Sequence, residues 1–258
     1  MRLAKLPDEF LSEGRHWATP KEIADRVGVP VSHVHVAARR WVEARLAFSP
    51  VRGLYVFVPP EYRSWGVVPA DWFIDAAMRH LSRRYYVGLL TAAARHGSSH
   101  HASQVFQVMV DRKVASRALG RVRLEFLWSS HVGRVPTVSV NVPTGTMVVA
   151  SRETTVLDLT DRPGDAGGID AVATVVSELA AGLDAKRLAD VARRYPRSAV
   201  ARLGHILDGL HVEGPLDRLA RLVARRQSPV LLDPRGPRRG PRDARWSVVV
   251  NRRIEVEA

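Results

Sequence analysis

Residues 19–60 read TPKEIADRVGVPVSHVHVAARRWVEARLAFSPVRGLYVFVPP, and they set the architecture of the N-terminal region. Thr19 is a favourable N-cap, the proline after it suits the first helical position, and Glu22 is placed to complete a capping box. The glycine and proline within residues 28–30 end this helix, because glycine takes the left-handed cap and proline cannot continue a helix. A second helix is predicted over residues 31–47, and residues 1–18 are expected to form a helix that packs on these two.

The second helix has two chemically different faces. Its apolar residues recur at helical spacing and are expected to point inward; they are Val34, Ala38, Trp41 and Val42. The opposite face carries Val36 among polar and cationic side chains that can donate hydrogen bonds to base edges and phosphates in a major groove. Two further cations join this set: Lys21 of the preceding helix and Arg52 of a following hairpin. The predicted DNA-binding residues are therefore Lys21, Ser32, His33, His35, Arg39, Arg40 and Arg52.

A β-hairpin is predicted after the second helix. Phe48 opens a strand, residues 49–53 form a tight turn, and residues 54–58 return with strand composition. Arg52 then lies at the tip of a wing, where it can contact phosphate or the minor groove. The sequence therefore predicts a winged helix-turn-helix. A purely structural or protein-binding winged helix is the alternative, but the cationic outward face favours DNA. Whether His33 and His35 contact bases or only solvent stays open.

Composition favours a basic, cysteine-free protein with two domains. The chain has 258 residues, 46% hydrophobic and 25% charged, and no cysteine, which excludes disulfides and thiolate chemistry. It has neither a long apolar run nor an apolar N-terminal segment, so we expect no membrane span, no signal peptide and a cytoplasmic location. The net charge is +13, and residues 1–60 contain nine Lys/Arg against six Asp/Glu. A charge of this sign points to polyanions, with nucleic acid first.

The rest of the chain predicts a mixed sheet with helices. A helix from Asp71 to Arg83 comes first, then period-two patterns at 104–110, 122–128, 137–142 and 146–150 predict strands, and amphipathic patterns follow them. We therefore expect an α+β protein with two domains. The winged helix-turn-helix occupies residues 1–60, and a larger mixed α/β domain occupies residues 61–258. Within the second domain, residues 67–160 are sheet-rich, residues 165–227 are helical, and residues 246–251 form a C-terminal strand.

Several short motifs occur in an order that resembles a known family. They are RGLY at 52–55, YYVGLLTAA at 85–93 with HG at 96–97, SRETTVLDL at 151–159, RP at 162–163, GG at 167–168, LDP at 232–234 and WSVVVN at 246–251. Together they resemble the AbiEi-type antitoxins of type IV toxin–antitoxin systems, which act in abortive infection. We expect a non-enzymatic protein without cofactors. The resemblance implies that its winged helix represses its own operon at inverted repeats. It also implies a C-terminal domain that counters a nucleotidyltransferase toxin, with direct contact left open.

Three groups of residues invite other interpretations. A catalytic cluster is suggested by Arg152, Glu153, Asp158 and Asp161. A capped helix whose charged residues form structural pairs is favoured, because the stretch has no nucleophile–base pair and no set of metal ligands. A metal site is suggested by His96, His100 and His101. Such a site needs three or four convergent ligands, so a solvated loop is favoured and we expect no metal. Asp111 and Glu125 weakly suggest a nuclease.

Two basic stretches lie outside the winged helix. The first is a candidate for additional phosphate contacts and consists of Arg112, Lys113, Arg117, Arg121 and Arg123. The second lies in the tail and consists of Arg235, Arg238, Arg239, Arg242 and Arg245. Such runs are usually solvated faces, but either can reach a phosphate backbone.

We expect a DNA-binding antitoxin and autorepressor. The alternatives are a ligand-responsive winged-helix transcription factor with an apolar pocket in its large domain, and a DNA-targeted nuclease.

Overall fold

The computed structural model describes residues 2–98, 105–211, 216–223 and 228–254. The protein is α+β and consists of two compact units. Unit 1 comprises Met1–Tyr85, Gln104–Trp128 and Ser139–Val148. Unit 2 comprises Tyr86–Ser103, Ser129–Val138 and Val149–Ala258.

The N-terminal part of unit 1 combines helices with a small antiparallel sheet. Its elements are α1 (Arg2–Ser12), β1 (Trp17–Ala18), α2 (Pro20–Val27), α3 (Val31–Glu43), β2 (Ala47–Phe48) and β3 (Tyr55–Phe57), with the strand order β1-β3-β2. The predicted capping box is confirmed at α2. The Thr19 hydroxyl accepts a hydrogen bond from the Glu22 amide at 3.2 Å, and the Glu22 carboxylate accepts one from the Thr19 amide at 2.7 Å. Gly28 ends the helix with φ 73°.

An aromatic core holds these elements together. Phe10 of α1 stacks on Phe57 of β3 with ring centroids 4.9 Å apart, and Trp41 of α3 meets Phe57 edge-on at 6.4 Å. Ile23 and Val34 are fully buried beside them. The Trp41 indole N–H donates to the Leu3 carbonyl at 2.9 Å, so the polar end of this buried ring is satisfied.

Three details of the N-terminal prediction are wrong. The helix expected over residues 1–18 stops at Ser12, because Gly14 turns the chain at φ 71° and β1 follows. The second helix ends at Glu43 rather than near residue 47, because Arg45 adopts a left-handed φ of 56°. Val42 is 47% exposed, since the buried stripe of α3 runs through Ala37 instead.

A six-stranded sheet is formed by strands that follow the N-terminal elements along the chain. After 3-10 turns at Pro60–Tyr62 and Ala70–Trp72, the elements are α4 (Ile74–His80), β4 (Tyr85–Val87), β5 (Val105–Val110), β6 (Arg117–Leu119), β7 (Val122–Trp128), β8 (Thr137–Val142) and β9 (Gly145–Ala150). The strand order is β6-β7-β5-β4-β9-β8, with β5 parallel to β7 and β6 antiparallel to it. The predicted strands are present, whereas β4 and β6 were not predicted. The predicted helix from Asp71 to Arg83 is shortened to α4, after the 3-10 turn.

Unit 2 is mainly helical. Its elements are α5 (Leu89–Arg95), α6 (Arg152–Asp161), α7 (Ile169–Ala180), α8 (Ala185–Ala192), α9 (Arg197–Gly209), α10 (Leu216–Val223), β10 (Val230–Leu231), β11 (Arg242–Asp243) and β12 (Val248–Val249). Helix α6 is capped by the Ser151 hydroxyl, as predicted, and packs against α5, α7, α8 and α9. The predicted strand over residues 246–251 is reduced to β12, because residues 244–247 form a turn in which Ser247 adopts a left-handed φ of 53°.

Among the residues that the structure describes, none of the helices combines the length and apolar composition that crossing a bilayer requires.

Candidate functional site

The exposed face of α3 carries the residues predicted to bind DNA. Val34, Ala37, Ala38 and Trp41 are buried and fix the orientation of the helix. At about 100° per residue, the direction opposite this stripe falls on Ser32, Val36 and Arg39. The predicted side chains on this face are all exposed; they are Ser32, His33, His35, Arg39 and Arg40. The sequence pattern and the fold thus agree on an exposed face of polar and cationic side chains, which also includes Val36.

This face is flanked by a tyrosine on one side and a groove on the other. The Nδ1 atom of His35 lies 3.2 Å from the Tyr55 hydroxyl of β3, which orients that imidazole. On the other flank, an apolar groove of about 480 Å³ is lined by Leu3, Val36 and Trp41, with His33 and Arg40 also in its lining. The acidic residue of α3, Glu43, lies at the C-terminal end of the helix, away from the histidines.

The hairpin between β2 and β3 presents Arg52 to solvent. Its neighbours Val51 and Leu54 are buried, so they hold the turn against the protein while Arg52 is exposed. The Arg52 carbonyl lies 3.0 Å from Nε2 of His80, which gives the turn a second anchor. Lys21, in the first turn of α2, is also exposed. Each residue of the predicted DNA-binding set is therefore accessible.

The first basic stretch runs from the segment after β5 through the edge strand β6 into β7, and we call it the basic strand edge. Its residues are all exposed; they are Arg112, Lys113, Arg117, Arg121 and Arg123. They do not share one face, because Arg117 is opposite Leu124 whereas Arg123 is opposite Ala118, and adjacent positions of a strand point to opposite sides. The Arg121 guanidinium lies over the Trp65 ring at 5.1 Å. Arg117, on the edge strand β6, also discourages edge-to-edge pairing, so this position has a structural use as well.

A buried carboxyl lies at the centre of unit 2. Asp158 of α6 is 1% exposed, and its Oδ1 accepts hydrogen bonds from the Tyr195 hydroxyl at 2.7 Å and the Tyr86 hydroxyl at 3.2 Å. Burial raises the pKa of the Asp158 carboxyl to about 7, although the two tyrosine hydrogen bonds act to lower it. Burial also raises the pKa of both tyrosines, so they remain neutral donors. Oδ2 of Asp158 has no hydrogen-bond partner in the described part of the chain.

The comparison with protein families identifies the domain that contains this carboxyl. A family model described as the AbiEi antitoxin C-terminal domain matches residues 86–209. These residues form an AbiEi antitoxin C-terminal domain. The match includes the SRETTVLDL stretch of α6, so the resemblance inferred from that motif is confirmed.

One solved structure supports the fold over almost the whole chain. It is the crystal structure of the RV2827C protein from Mycobacterium tuberculosis, with a TM-score of 0.66 and 15% sequence identity. The alignment covers 96% of this chain and 91% of that chain. At such low identity the likeness shows a shared fold alone. No curated protein sequence matches the chain.

The acids and arginine of α6 have structural partners in the AbiEi antitoxin C-terminal domain. Arg152 donates to the Gly182 carbonyl at 3.0 Å. Glu153 accepts from the Ser151 hydroxyl at 3.0 Å and from the Asp184 amide at 3.3 Å. Asp161 lies 3.8 Å from Nε2 of His131. The cluster therefore ties α6 to its surroundings, in agreement with the structural interpretation that the sequence favoured.

The weaker site hypotheses gain no geometric support. Glu125 pairs in register with Gln107, and Asp111 lies four residues farther along, roughly 13 Å away, so the two carboxylates do not meet at one metal. His96 lies 2.7 Å from the Ala150 carbonyl through Nε2. His100 and His101 lie outside the described residues. In the ranges that the structure covers, no three His, Asp or Glu side chains are grouped as a metal site.

The tail arginines are partly engaged in unit 2. Arg245 pairs with Asp208 at 2.5 Å and Asp217 at 3.0 Å, and Arg235 donates to the Gly164 carbonyl at 3.4 Å. The others in this stretch are exposed; they are Arg238, Arg239 and Arg242.

A second group of polar residues in unit 2 is not among the sites predicted from the sequence. The loop of residues 129–136 follows β7 and places His131 against Tyr195, with the rings stacked at 4.1 Å. Tyr195 in turn binds Asp158. A usable signal was present, because polar residues directly after a strand of a mixed sheet commonly line binding sites. The run of Ser129, Ser130 and His131 fits that description.

Proposed function

We propose that the chain is an AbiEi-type antitoxin that binds DNA and represses its own operon. In this proposal residues 1–60 are a winged helix-turn-helix and residues 61–258 supply the antitoxin activity against a nucleotidyltransferase toxin encoded nearby. The protein acts in the cytoplasm without catalysing a reaction. The observation that carries the DNA-binding part is the exposed polar face of α3, whose reverse side is locked into the core.

The order and pairing of the N-terminal elements support a winged helix-turn-helix. Helices α2 and α3 are joined by a short turn, and the β2–β3 hairpin follows and pairs with β1. In such a domain the second helix enters the major groove and the hairpin follows the backbone. By analogy α3 is the recognition helix and Arg52 lies on the wing. Lys21, in the first turn of α2, suits a phosphate contact.

Arg39 and Arg40 are the residues on which DNA binding depends most in this proposal. Arginine can bind guanine or phosphate through two parallel hydrogen bonds, which makes its contacts strong and directional. Neither guanidinium has an ion-pair partner among the described side chains, so no internal bond has to break before DNA binds. Ser32, His33 and His35 lie nearer the N-terminus of α3, which is the end that approaches base edges in this class of domain.

The DNA experiment uses fluorescence anisotropy with a labelled duplex containing the operon's own upstream region, at physiological salt. Replacing Arg39 and Arg40 by alanine should weaken binding at least about tenfold. If both arginines contact phosphate, the plot of the logarithm of the DNA association constant against the logarithm of the salt concentration should become less steep by about two. A matched control replaces Lys186 and Arg187, two exposed adjacent cations of α8, by alanine. This control removes the same amount of positive charge as the α3 variant. Unchanged affinity of the α3 variant, or an equal loss in the α8 variant, would contradict the proposal.

The antitoxin part is tested by co-expression. The chain should restore growth to cells that express the neighbouring nucleotidyltransferase. The Arg39 and Arg40 double variant should restore growth equally well when its expression is driven by a foreign promoter, because neutralisation is assigned to the C-terminal domain. Failure of the wild-type chain to restore growth would contradict the antitoxin role and leave the DNA result standing.

The basic strand edge adds a second surface to the same proposal. Arg112, Lys113, Arg117, Arg121 and Arg123 belong to unit 1, as α3 does. Because these cations lie on both sides of a hairpin, they suit non-specific contact with phosphate better than base recognition. Replacing Arg117 and Arg123 with alanine should weaken binding to specific and unrelated duplexes by the same factor. A selective loss for the specific duplex would contradict this assignment.

A further inference from the structure

A polar pocket of about 480 Å³ lies in unit 2, within the AbiEi antitoxin C-terminal domain. It is lined by Ser130, His131, Gly133, Arg134 and Arg194. Its volume falls in the range of small-ligand sites. The lining that the described residues provide contains two arginines, an imidazole and a hydroxyl, and no carboxylate. Such a lining fits an anion, because every charged group in it is cationic.

The two arginines are not neutralised inside the protein. Within the described ranges, neither Arg134 nor Arg194 has an ion pair or a side-chain hydrogen bond. Other arginines of unit 2 are engaged, as Arg202 is with the carbonyls of Leu231 and Thr160 at 3.0 and 3.1 Å. Free surface arginines are common, but here two of them border one pocket together with His131. Their guanidinium groups are therefore available to bind a ligand.

The backbone of the loop at residues 129–136 is fixed in a way that suits a binding site. The Arg134 amide donates to the His131 carbonyl at 2.8 Å, and Gly133 takes the left-handed φ of 79° that this tight turn requires. Val132 and Val135 are buried on either side. The Pro136 carbonyl accepts a hydrogen bond from the Ser151 amide at 3.1 Å, which ties the loop to the start of α6. The pocket wall is thus held in place before any ligand arrives.

His131 is positioned by the buried cluster of unit 2. One face of its ring stacks on Tyr195, and its Nε2 lies 3.8 Å from the Asp161 carboxylate. The Tyr195 hydroxyl donates to Asp158 at 2.7 Å, so the ring that supports the imidazole is itself anchored. The cluster therefore holds the His131 imidazole in place at the pocket.

We propose that this pocket binds an oligophosphate, the class of anion that includes pyrophosphate and the triphosphate of a nucleotide. A single small anion would leave one arginine unused, whereas two or three linked phosphates can bind both guanidinium groups and His131 together. Arginine suits this ligand because its planar donors match phosphate oxygens. The proposal is independent of the DNA-binding function, because the pocket and α3 belong to different units.

The test is isothermal titration calorimetry on the full chain, with pyrophosphate, tripolyphosphate and ATP as separate ligands. Sulfate at the same ionic strength serves as the control for general screening. We expect binding of pyrophosphate and tripolyphosphate, and weaker or no binding of sulfate. Replacing Arg134 and Arg194 by alanine should weaken tripolyphosphate binding at least about tenfold, since two charge-assisted contacts are lost. ATP affinity above that of tripolyphosphate would identify a nucleotide, and equal affinity would identify the phosphate chain as sufficient.

Matched variants separate this site from general positive charge. Arg193 is exposed and adjacent to Arg194 but does not line the pocket, so Arg193→Ala should bind tripolyphosphate within about twofold of wild type. The Arg39 and Arg40 double variant should also bind normally. The proposal is overturned if neither pyrophosphate nor tripolyphosphate binds at millimolar concentration, if sulfate binds equally well, or if Arg193→Ala loses as much affinity as the pocket variant. Unchanged circular dichroism and melting temperature would confirm that the pocket variant is folded.

Discussion

Replacing Asp158 by asparagine should change how the stability of the protein depends on pH. The substitution keeps an oxygen that can accept the hydrogen bonds from Tyr195 and Tyr86, and it removes the ionisable group. The amide nitrogen would take the position of Oδ2, which has no partner among the described residues. An unpaired buried donor costs about 1–3 kcal/mol, but that cost does not depend on pH.

The size of the effect follows from the pKa of Asp158. The folded value is about 7, against an ordinary value of 3.8 that we take for the unfolded chain. Between these two values the folded state binds more protons than the unfolded state, so the free energy of unfolding of the wild type falls as the pH rises. The stabilising contribution is fully present below about pH 4 and is lost as the pH passes 7. The difference amounts to about 4 kcal/mol.

The assay is chemical denaturation of both proteins at a series of pH values from 4 to 8, followed by circular dichroism. Other groups titrate in both proteins and cancel in the difference between them. We expect the free energy of unfolding of Asp158→Asn, relative to wild type, to increase by about 4 kcal/mol across this range. The constant cost of the amide shifts the curve without changing its slope.

A matched control is Asp190→Asn, which removes an exposed carboxylate of α8 in the same unit. This variant should not show the increase of about 4 kcal/mol that is expected for Asp158→Asn. A flat difference curve for Asp158→Asn would refute the reasoning, because it would mean that Asp158 titrates normally in the folded protein. A slope of opposite sign would mean that the tyrosine hydrogen bonds outweigh burial and hold the carboxylate ionised.

Two further substitutions, each with a control variant, test the packing of α9 in unit 2 and the cap of α2 in unit 1. Gly204→Ala should lower the free energy of unfolding by about 1–3 kcal/mol, because the new methyl group would clash with the fully buried Trp246 ring. Gly209→Ala on the same helix has open space and should not show this loss in thermal denaturation. Thr19→Ala should cost about 1 kcal/mol through loss of the α2 cap, whereas Thr19→Ser should keep most of it. An equal loss in the serine variant would show that the cap hydrogen bond is not the cause.

Local chemistry made the N-terminal helices predictable. The cap at Thr19, the break at Gly28 and the apolar spacing of α3 act over a few residues, and each is visible in the chain itself. The errors arose where the outcome depends on tertiary contacts. Trp17 joins a strand because β3 lies beside it, and no local signal announces that pairing. Val42 lies at the margin of the buried stripe, where spacing alone cannot decide between core and solvent.

The two candidate sites also differed in how far the sequence could predict them. The exposed face of α3 could be predicted because all its residues lie on one helix with a regular period. The pocket of unit 2 could not, because His131 and Arg194 are 63 residues apart in the sequence. They meet only after the 129–136 loop is tied to α6. The motif SRETTVLDL identified the right helix but not its role as the anchor of that loop.

The net charge of +13 is a poor guide to function until each cation is assigned a partner. Near the C-terminus, Arg245 and Arg252 form ion pairs with aspartates, so they add little to the positive electrostatic potential at the surface. Cations without such partners in the described residues lie on α3, along the strand edge and in the pocket of unit 2. A polyanion displaces no internal partner at these places. DNA binding and oligophosphate binding are therefore expected to respond separately to substitution, because each depends on its own set of unpaired arginines.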